Sequence, residues 1–273
     1  MRSGDNAHPI NSNVVAASEA SLVRTMDSSV DDVLGRIGGR QLRRKFGYAA
    51  DLGAAIVIGT PATWVDIWSQ AGLRTPPTAD KTPFVASDAA GDTTDVTVEG
   101  LDTNGDRISV TVTLTGTTPV TTGTVFSDVL RMYNAGATAF VGTVSCVDNN
   151  DFTAGVPDDQ GEILCEIPIG DDQSQLLAER CPTGKQYLLQ ALDIRVTRDS
   201  GAAGSVILAL SVMAPGGVFR RKLACHVGTG DGTPFSLKGI IVPAGGVVQL
   251  RARDVSDNGT FVSASMTYLE VDA

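Results

Sequence analysis

The segment of this chain that comes nearest to a metal-binding motif is Asp102-Thr103-Asn104-Gly105-Asp106. Calcium loops of the EF-hand type need acidic oxygens at alternate positions, a glycine at position six and a bidentate glutamate at position twelve. Counted from Asp102, those two positions hold Arg107 and Thr113, so the ligand pattern breaks at both. We therefore predict no metal site here, and a weak surface cation held by Asp102 and Asp106 is the alternative.

Nucleophilic catalysis would depend on one of two histidines, His8 and His226. His226 follows Cys225 in an apparent strand, where consecutive side chains point to opposite faces, so the two cannot form a catalytic pair. The segment CPTGKQ (181–186) resembles a phosphate loop. It lacks the glycine five residues before its Gly-Lys pair and the Ser or Thr directly after it. No nucleotide site is predicted.

The four cysteines have no CxxC spacing that would indicate structural zinc: Cys146, Cys165, Cys181 and Cys225. They are either buried thiols of a cytosolic product or residues that cross-link in an oxidising medium. Neighbouring acids such as Asp158-Asp159 and Asp171-Asp172 lie in turn-rich segments and lack the fixed separation of glycosidase carboxylates. The chain is thus expected not to be an enzyme, with no catalytic, cofactor-binding or metal-binding residue.

The elements that hold these residues are predicted to be β-strands. Aliphatic residues recur at every second position in Val96–Val98 and Ile108–Leu114, with hydroxyl side chains between them. Asn104-Gly105 between the two runs is typical of a tight hairpin turn, because both residues tolerate positive φ. About seven further short strands with Gly-rich turns follow residue 151, as in a β-sandwich.

We therefore predict a mainly β fold of two β-sandwich domains, Ig-like or jelly-roll-like, preceded by an extended, partly helical N-terminal arm. The predicted bounds are 1–52 for the arm, 53–150 for the first sandwich and 151–273 for the second. Ser29 and Asp32 resemble a helix cap before Val33, Leu34 and Ile37, which have helical spacing. A solvated, frayed terminus is the alternative for this arm.

Charge is distributed unevenly along the chain. The net charge is −10, yet residues 1–50 carry seven Lys/Arg and five Asp/Glu, so the arm is basic and the body acidic. We predict that the arm docks on an acidic neighbour through Arg36, Arg40, Arg43, Arg44 and Lys45. The acidic body makes nucleic acid a poor partner.

The first residues contain no apolar signal-peptide core, and the longest apolar run, residues 206–214, is too short to cross a bilayer. We therefore expect synthesis in the host cytoplasm without membrane insertion.

Several segments resemble structural proteins of tailed double-stranded-DNA bacteriophages. They are DTTDVTVEGLDTNGDRISVTVTLTGTTPV (92–120), CPTGKQYLLQALDIRV (181–196), APGGVFRRKL (214–223) and FVSASMTYLEVD (261–272). The resemblance covers most of residues 84–272 and implies a virion component of the neck, collar, tail, fibre or capsid-surface kind.

The function expected from these observations is mechanical. The protein would assemble as a homo-oligomer and contact neighbouring virion proteins through strand edges and the arm. The last strand, Phe261–Glu270, lacks Lys and Pro and is expected to pair within its own sheet or with another copy. A host-surface glycan-binding fibre or adhesin is the alternative, and a carbohydrate-active enzyme is a weaker one.

Overall fold

The protein is described from a computed structural model that covers residues 41–49, 64–70, 74, 77, 79–198, 204–230, 232–253, 255 and 259–273. Its described elements are β-strands and one 3-10 turn, Gln160–Glu162. The strands are β1 (Gln41–Ala49), β2 (Val65–Asp66), β3 (Phe84–Ser87), β4 (Asp95–Leu101), β5 (Arg107–Thr113), β6 (Val120–Thr121), β7 (Asp128–Asn134), β8 (Val144–Val147), β9 (Phe152–Thr153), β10 (Val156–Pro157), β11 (Ile163–Ile167), β12 (Ala178–Arg180), β13 (Lys185–Arg198), β14 (Ser205–Met213), β15 (Arg220–Gly228), β16 (Gly232–Ser236), β17 (Ile241–Val242), β18 (Val247–Arg253) and β19 (Thr260–Asp272). The predicted mainly β fold is confirmed.

Two sheets contain five strands each. One has the order β1-β19-β13-β16 with β17 added to β13, and the other has the order β12-β18-β14-β15 with β2 added to β18. A four-stranded sheet, β11-β8-β3-β6, and a three-stranded sheet, β5-β4-β7, hold the earlier part of the chain, while β9 and β10 form a separate hairpin. The long pairings of β13 with β19 and of β14 with β15 and β18 are antiparallel.

Two hydrophobic cores result from the alternation of side chains along these strands. The two five-stranded sheets share one core, to which β13 and β14 contribute Leu192 and Leu208. The four-stranded and three-stranded sheets share the other, with Val98 of β4 and Ile167 of β11. β11 lies in the segment assigned above to the second domain, yet its side chains fill the core of residues 85–167. The Ig-like or jelly-roll-like character of each half stays a prediction.

The predicted helix of the arm lies outside the described residues. Within the segment assigned to the arm, β1 is a strand beside β19 in the sheet order. Gly47 lets β1 approach the body closely, since a Cβ there would lie 2.5 Å from the Leu177 Cβ atom. Because β19 lies between β1 and β13, the last strand is paired on both sides by its own chain. Of the two partners expected for it, its own sheet is the one observed. Among the described residues, no helix has the length and apolar character to span a bilayer.

Candidate functional site

The segment that resembled a calcium loop is the turn of the β4–β5 hairpin. Gly105 has φ of +80°, and Val98 lies opposite Val110, as the alternation predicted. One Asp102 carboxylate oxygen accepts hydrogen bonds from the backbone N–H groups of Asn104 (2.8 Å) and Asp106 (2.9 Å). Both bonds lower the pKa of Asp102, and the bond from Asp106 has the larger effect. The carboxylate therefore shapes the turn, and no cluster suited to a metal occurs among the described residues.

All four cysteines are free thiols. Cys146 on β8 and Cys165 on β11 lie directly opposite one another in the core, and burial raises the pKa of both. Cys225 and His226 lie side by side on β15, with His226 exposed and Cys225 half-buried. Burial favours the protonated form of these thiols. Their place in a cytosolic product stays a prediction.

The predicted docking residues that the structure describes contact carboxylates of their own chain. Arg43 lies 3.1 Å from Glu270, and Arg44 lies 3.8 Å from Asp193 and donates to the Ser265 hydroxyl at 3.0 Å. Lys45 is buried, lies 3.7 Å from Glu179 and donates to the carbonyl of Leu130. Arg36 and Arg40 lie outside the described residues. Docking on a neighbour stays a prediction, but Lys45 is enclosed within its own chain.

Lys45 belongs to a buried charge network centred on Glu179 of β12. Arg107 of β5 donates to Glu179 at 2.7 Å, to Glu270 at 3.0 Å and to the Tyr187 hydroxyl at 2.6 Å. Burial, the largest single effect, would raise the pKa of Glu179, but Lys45 and Arg107 outweigh it and lower the pKa to about 2. Glu179 is thus ionised and links β5 to β12, β13 and β19.

A second buried network lies around Arg74. Its guanidinium group contacts the Asp128 carboxylate at 2.6 Å and the backbone carbonyls of Val129 (2.6 Å) and Leu164 (3.0 Å). Arg180 of β12 lies 3.4 Å from the same Asp128. β7 and β11 contribute side chains to one hydrophobic core, whereas β12 pairs with β18 of the other. Both charge networks therefore connect the two cores.

The candidate binding site is a groove of about 750 Å³ on the outer face of the β1-β19-β13-β16 sheet. The paired strands β19, β13 and β16 form the floor of the groove. On this floor, Asp193 lies opposite Ser265 and Pro234, and Arg195 lies opposite Ser263 and Gly232. Small residues beside two charged ones leave an open channel along the sheet.

Aromatic side chains of β1 form one wall of this groove. The Phe46 ring is 37% exposed, and the Arg44 guanidinium lies 5.0 Å from its centroid. Tyr48 stacks on Phe261 of β19 with ring centroids 6.2 Å apart. Asp171 lines the groove too, and burial together with the neighbouring Asp172 raises its pKa.

The exposed Phe46 ring, the Ser263 hydroxyl and the charged side chains of Asp193 and Arg195 can bind an uncharged, hydroxyl-rich ligand through stacking and hydrogen bonds. Sequence reasoning missed these residues, because they come from four strands separated along the chain. The alternation of exposed Asp193, Arg195 and Thr197 with buried Ile194 and Val196 was the one local signal that could have indicated a polar outer face.

The sequence matches no protein-family model and no curated protein. Among solved structures, it is similar to infectious bursal disease virus Gt strain at 9% identity and a TM-score of 0.27, with coverage of 86% of this chain and 73% of that chain. The Gx strain gives 10% identity, a TM-score of 0.27 and coverage of 86% and 73%. The VP2 subviral particle of the same virus gives 8% identity and a TM-score of 0.22, with coverage of 85% of this chain and 72% of that chain.

Proposed function

We propose that this protein is a non-enzymatic structural component of a tailed bacteriophage particle, where it assembles with copies of itself and with neighbouring virion proteins at the neck or collar, the tail or the capsid surface. The sequence segments that resemble such proteins support this placement. The structural observation that carries the proposal is the position of β5 at the edge of its sheet among the described strands.

β5 is a seven-residue edge strand, which the described part of the chain pairs on one side alone, with β4. Ser109, Thr111 and Thr113 are exposed along it. Edge strands of proteins that stay separate are usually protected by Lys, Arg or Pro. Other edges of this protein are protected in that way, by exposed Arg44 on β1, by Arg220, Arg221 and Lys222 on β15, and by Pro234 on β16.

β5 past Arg107 contains Ile, Ser, Val and Thr alone, a composition that favours pairing with a further strand. The Arg107 side chain is directed into the buried network and does not protect this edge. β5 therefore accepts a strand of an adjacent virion protein by strand addition.

Antibody labelling of purified particles tests the placement. We expect the label at a symmetric feature of the neck, tail or capsid surface, whereas absence of the protein from purified particles would overturn the proposal.

A lysine placed on the β5 edge is expected to block strand addition. Ser109→Lys should reduce incorporation of the protein into particles by roughly 10-fold or more, because a charged side chain on an edge opposes pairing. Thr197→Lys is the matched control, since Thr197 is exposed on a central strand. Quantitative blotting of purified particles measures both variants, and equal incorporation of the two would contradict the role of β5.

The groove favours a second candidate function, recognition of a host-surface glycan. If the groove binds a glycan, purified protein should retain members of an array of bacterial surface polysaccharides. Phe46→Ala should then abolish retention, because it removes the exposed ring. Val125→Ala, a substitution of an exposed residue that does not line the groove, should leave retention unchanged. Equal retention by all three proteins, or none by the wild type, would exclude this function.

A further inference from the structure

A small basic groove lies between β15 of one five-stranded sheet and β17 of the other. It has a volume of about 230 Å³ and is lined by Val218, Ile241 and Pro243, with Arg220 and Lys222 beside them. Val218 is 72% exposed and Ile241 50% exposed, and together they form an exposed apolar patch. The groove therefore combines an apolar floor with a positively charged rim.

Three arginines of the β12-β18-β14-β15 sheet lie against aromatic rings. The guanidinium groups of Arg221 and Arg253 lie 5.1 and 4.8 Å from the centroid of Trp64. Arg251 lies 5.2 Å from the Phe219 ring and 2.8 Å from the Asp66 carboxylate. These contacts hold the guanidinium groups of Arg221, Arg251 and Arg253 in position on this sheet.

Exposed acidic residues flank the β9–β10 hairpin. Asp151, Asp158 and Asp159 are exposed, and Val156 among them is 47% exposed. No residue in the described ranges forms an ion pair with any of the three carboxylates. The hairpin approaches Ser87 closely at Gly155. A Cβ at that position would lie 1.9 Å from the Ser87 carbonyl oxygen.

We propose that copies of this chain bind head to tail, with the acidic β9–β10 hairpin of one copy seated on the basic groove of the next. This inference rests on the self-assembly in the proposed function and names its interface. Val156 enters the apolar floor beside Val218 and Ile241, while the carboxylates face Arg220 and Lys222.

Charge complementarity identifies a second copy as the occupant. The chain has a net charge of −10, so a contact between two identical acidic patches would be repulsive. A contact between the acidic patch and the basic patch is attractive instead. Because the two patches differ, the contact is heterologous, and it generates a ring when the rotation between neighbours closes.

Charge reversal on either side tests the contact. The full chain is expected to sediment as an oligomer at low salt and to dissociate as salt rises, since exposed charges are screened. Arg220→Glu with Lys222→Glu, or Asp158→Lys with Asp159→Lys, should each weaken association by roughly 100-fold or more. An equimolar mixture of these two double variants should recover oligomers that contain both, because the reversed patches complement one another.

Matched controls change charge elsewhere on the surface. Arg195→Glu on β13 and Asp106→Lys in the β4–β5 turn should leave the oligomer unchanged, and melting temperatures show that every variant folds. A monomeric wild type at low salt, oligomers that survive both reversals, or a mixture that stays monomeric would each overturn the inference. If labelled protein is still found in particles in those cases, the proposed function stands and this interface alone is wrong.

Discussion

Glu179→Gln is expected to lower the free energy of unfolding by about 3–5 kcal/mol, because it removes the anion at the centre of a buried network. Glu179 is 4% exposed and contacts Arg107 at 2.7 Å and Lys45 at 3.7 Å. Glutamine has nearly the same size, so the loss comes from leaving the Lys45 ammonium without its buried counter-charge and not from a cavity. Urea denaturation at neutral pH measures the difference.

The matched control is Glu99→Gln on the surface. Glu99 lies 3.0 Å from Arg131, with side chains that are 28% and 39% exposed. Exposed pairs of this kind contribute about 1 kcal/mol or less. Equal losses for the two variants would show that the Glu179 network contributes no more than a surface ion pair.

The same network predicts how stability depends on pH. The pKa of Glu179 is about 2 in the folded protein, below its ordinary value of 4.5. A lowered pKa contributes stability that is fully present above pH 4.5 and is lost as the pH falls towards 2. The stability that depends on this lowered pKa is about 3 kcal/mol. Between pH 4.5 and 2, the wild type should therefore lose more stability than Glu179→Gln does. Parallel curves for the two proteins would contradict this account.

Gly100→Ala is expected to destabilise the protein by about 3 kcal/mol, because it forces a methyl group into occupied space. A Cβ at Gly100 would lie 2.2 Å from the Asp128 carbonyl oxygen and 2.6 Å from a ring carbon of buried Phe126. The backbone at Asp128 cannot move freely, because its carboxylate binds Arg74 at 2.6 Å. Differential scanning calorimetry should show a clearly lower melting temperature.

Gly91→Ala is the control for this substitution. Its Cβ would meet the Val141 methyl group at 3.8 Å, an ordinary van der Waals distance. We expect a change within about 0.5 kcal/mol, as for most surface substitutions. If Gly100→Ala were equally neutral, the close packing of β4 on Phe126 would not limit this position.

The strands and the hairpin could be predicted because their signals are local. Alternation in Val96–Val98 and Ile108–Leu114 sets which side chains face a core, and Asn104-Gly105 supplies the turn. Neighbours across sheets could not be predicted in this way. β11 pairs with β8 and fills the core of residues 85–167, although the acidic loop before it suggested a domain boundary.

The basic residues of β1 show the same limit. Composition identified Arg43, Arg44 and Lys45 as cations, but their partners are distant along the chain: Ser265 lies 221 positions after Arg44, and Leu130 lies 85 positions after Lys45. Arg44 and Lys45 therefore serve the body's own surface and interior. Sequence charge alone cannot distinguish an internal partner from an external one.

The amino-acid sequence by itself determined the mainly β character, the β4–β5 hairpin and the segregation of charge, since each depends on residues that are close in the chain. Tertiary structure alone decided that Arg107, the residue that broke the calcium pattern, binds Glu179 and Glu270, which lie 72 and 163 residues away. It also decided that four separate strands form one groove, and that a basic groove and an acidic patch lie at different places on the surface. Side-chain direction follows from local backbone geometry, whereas the identity of a neighbour follows from how whole sheets pack.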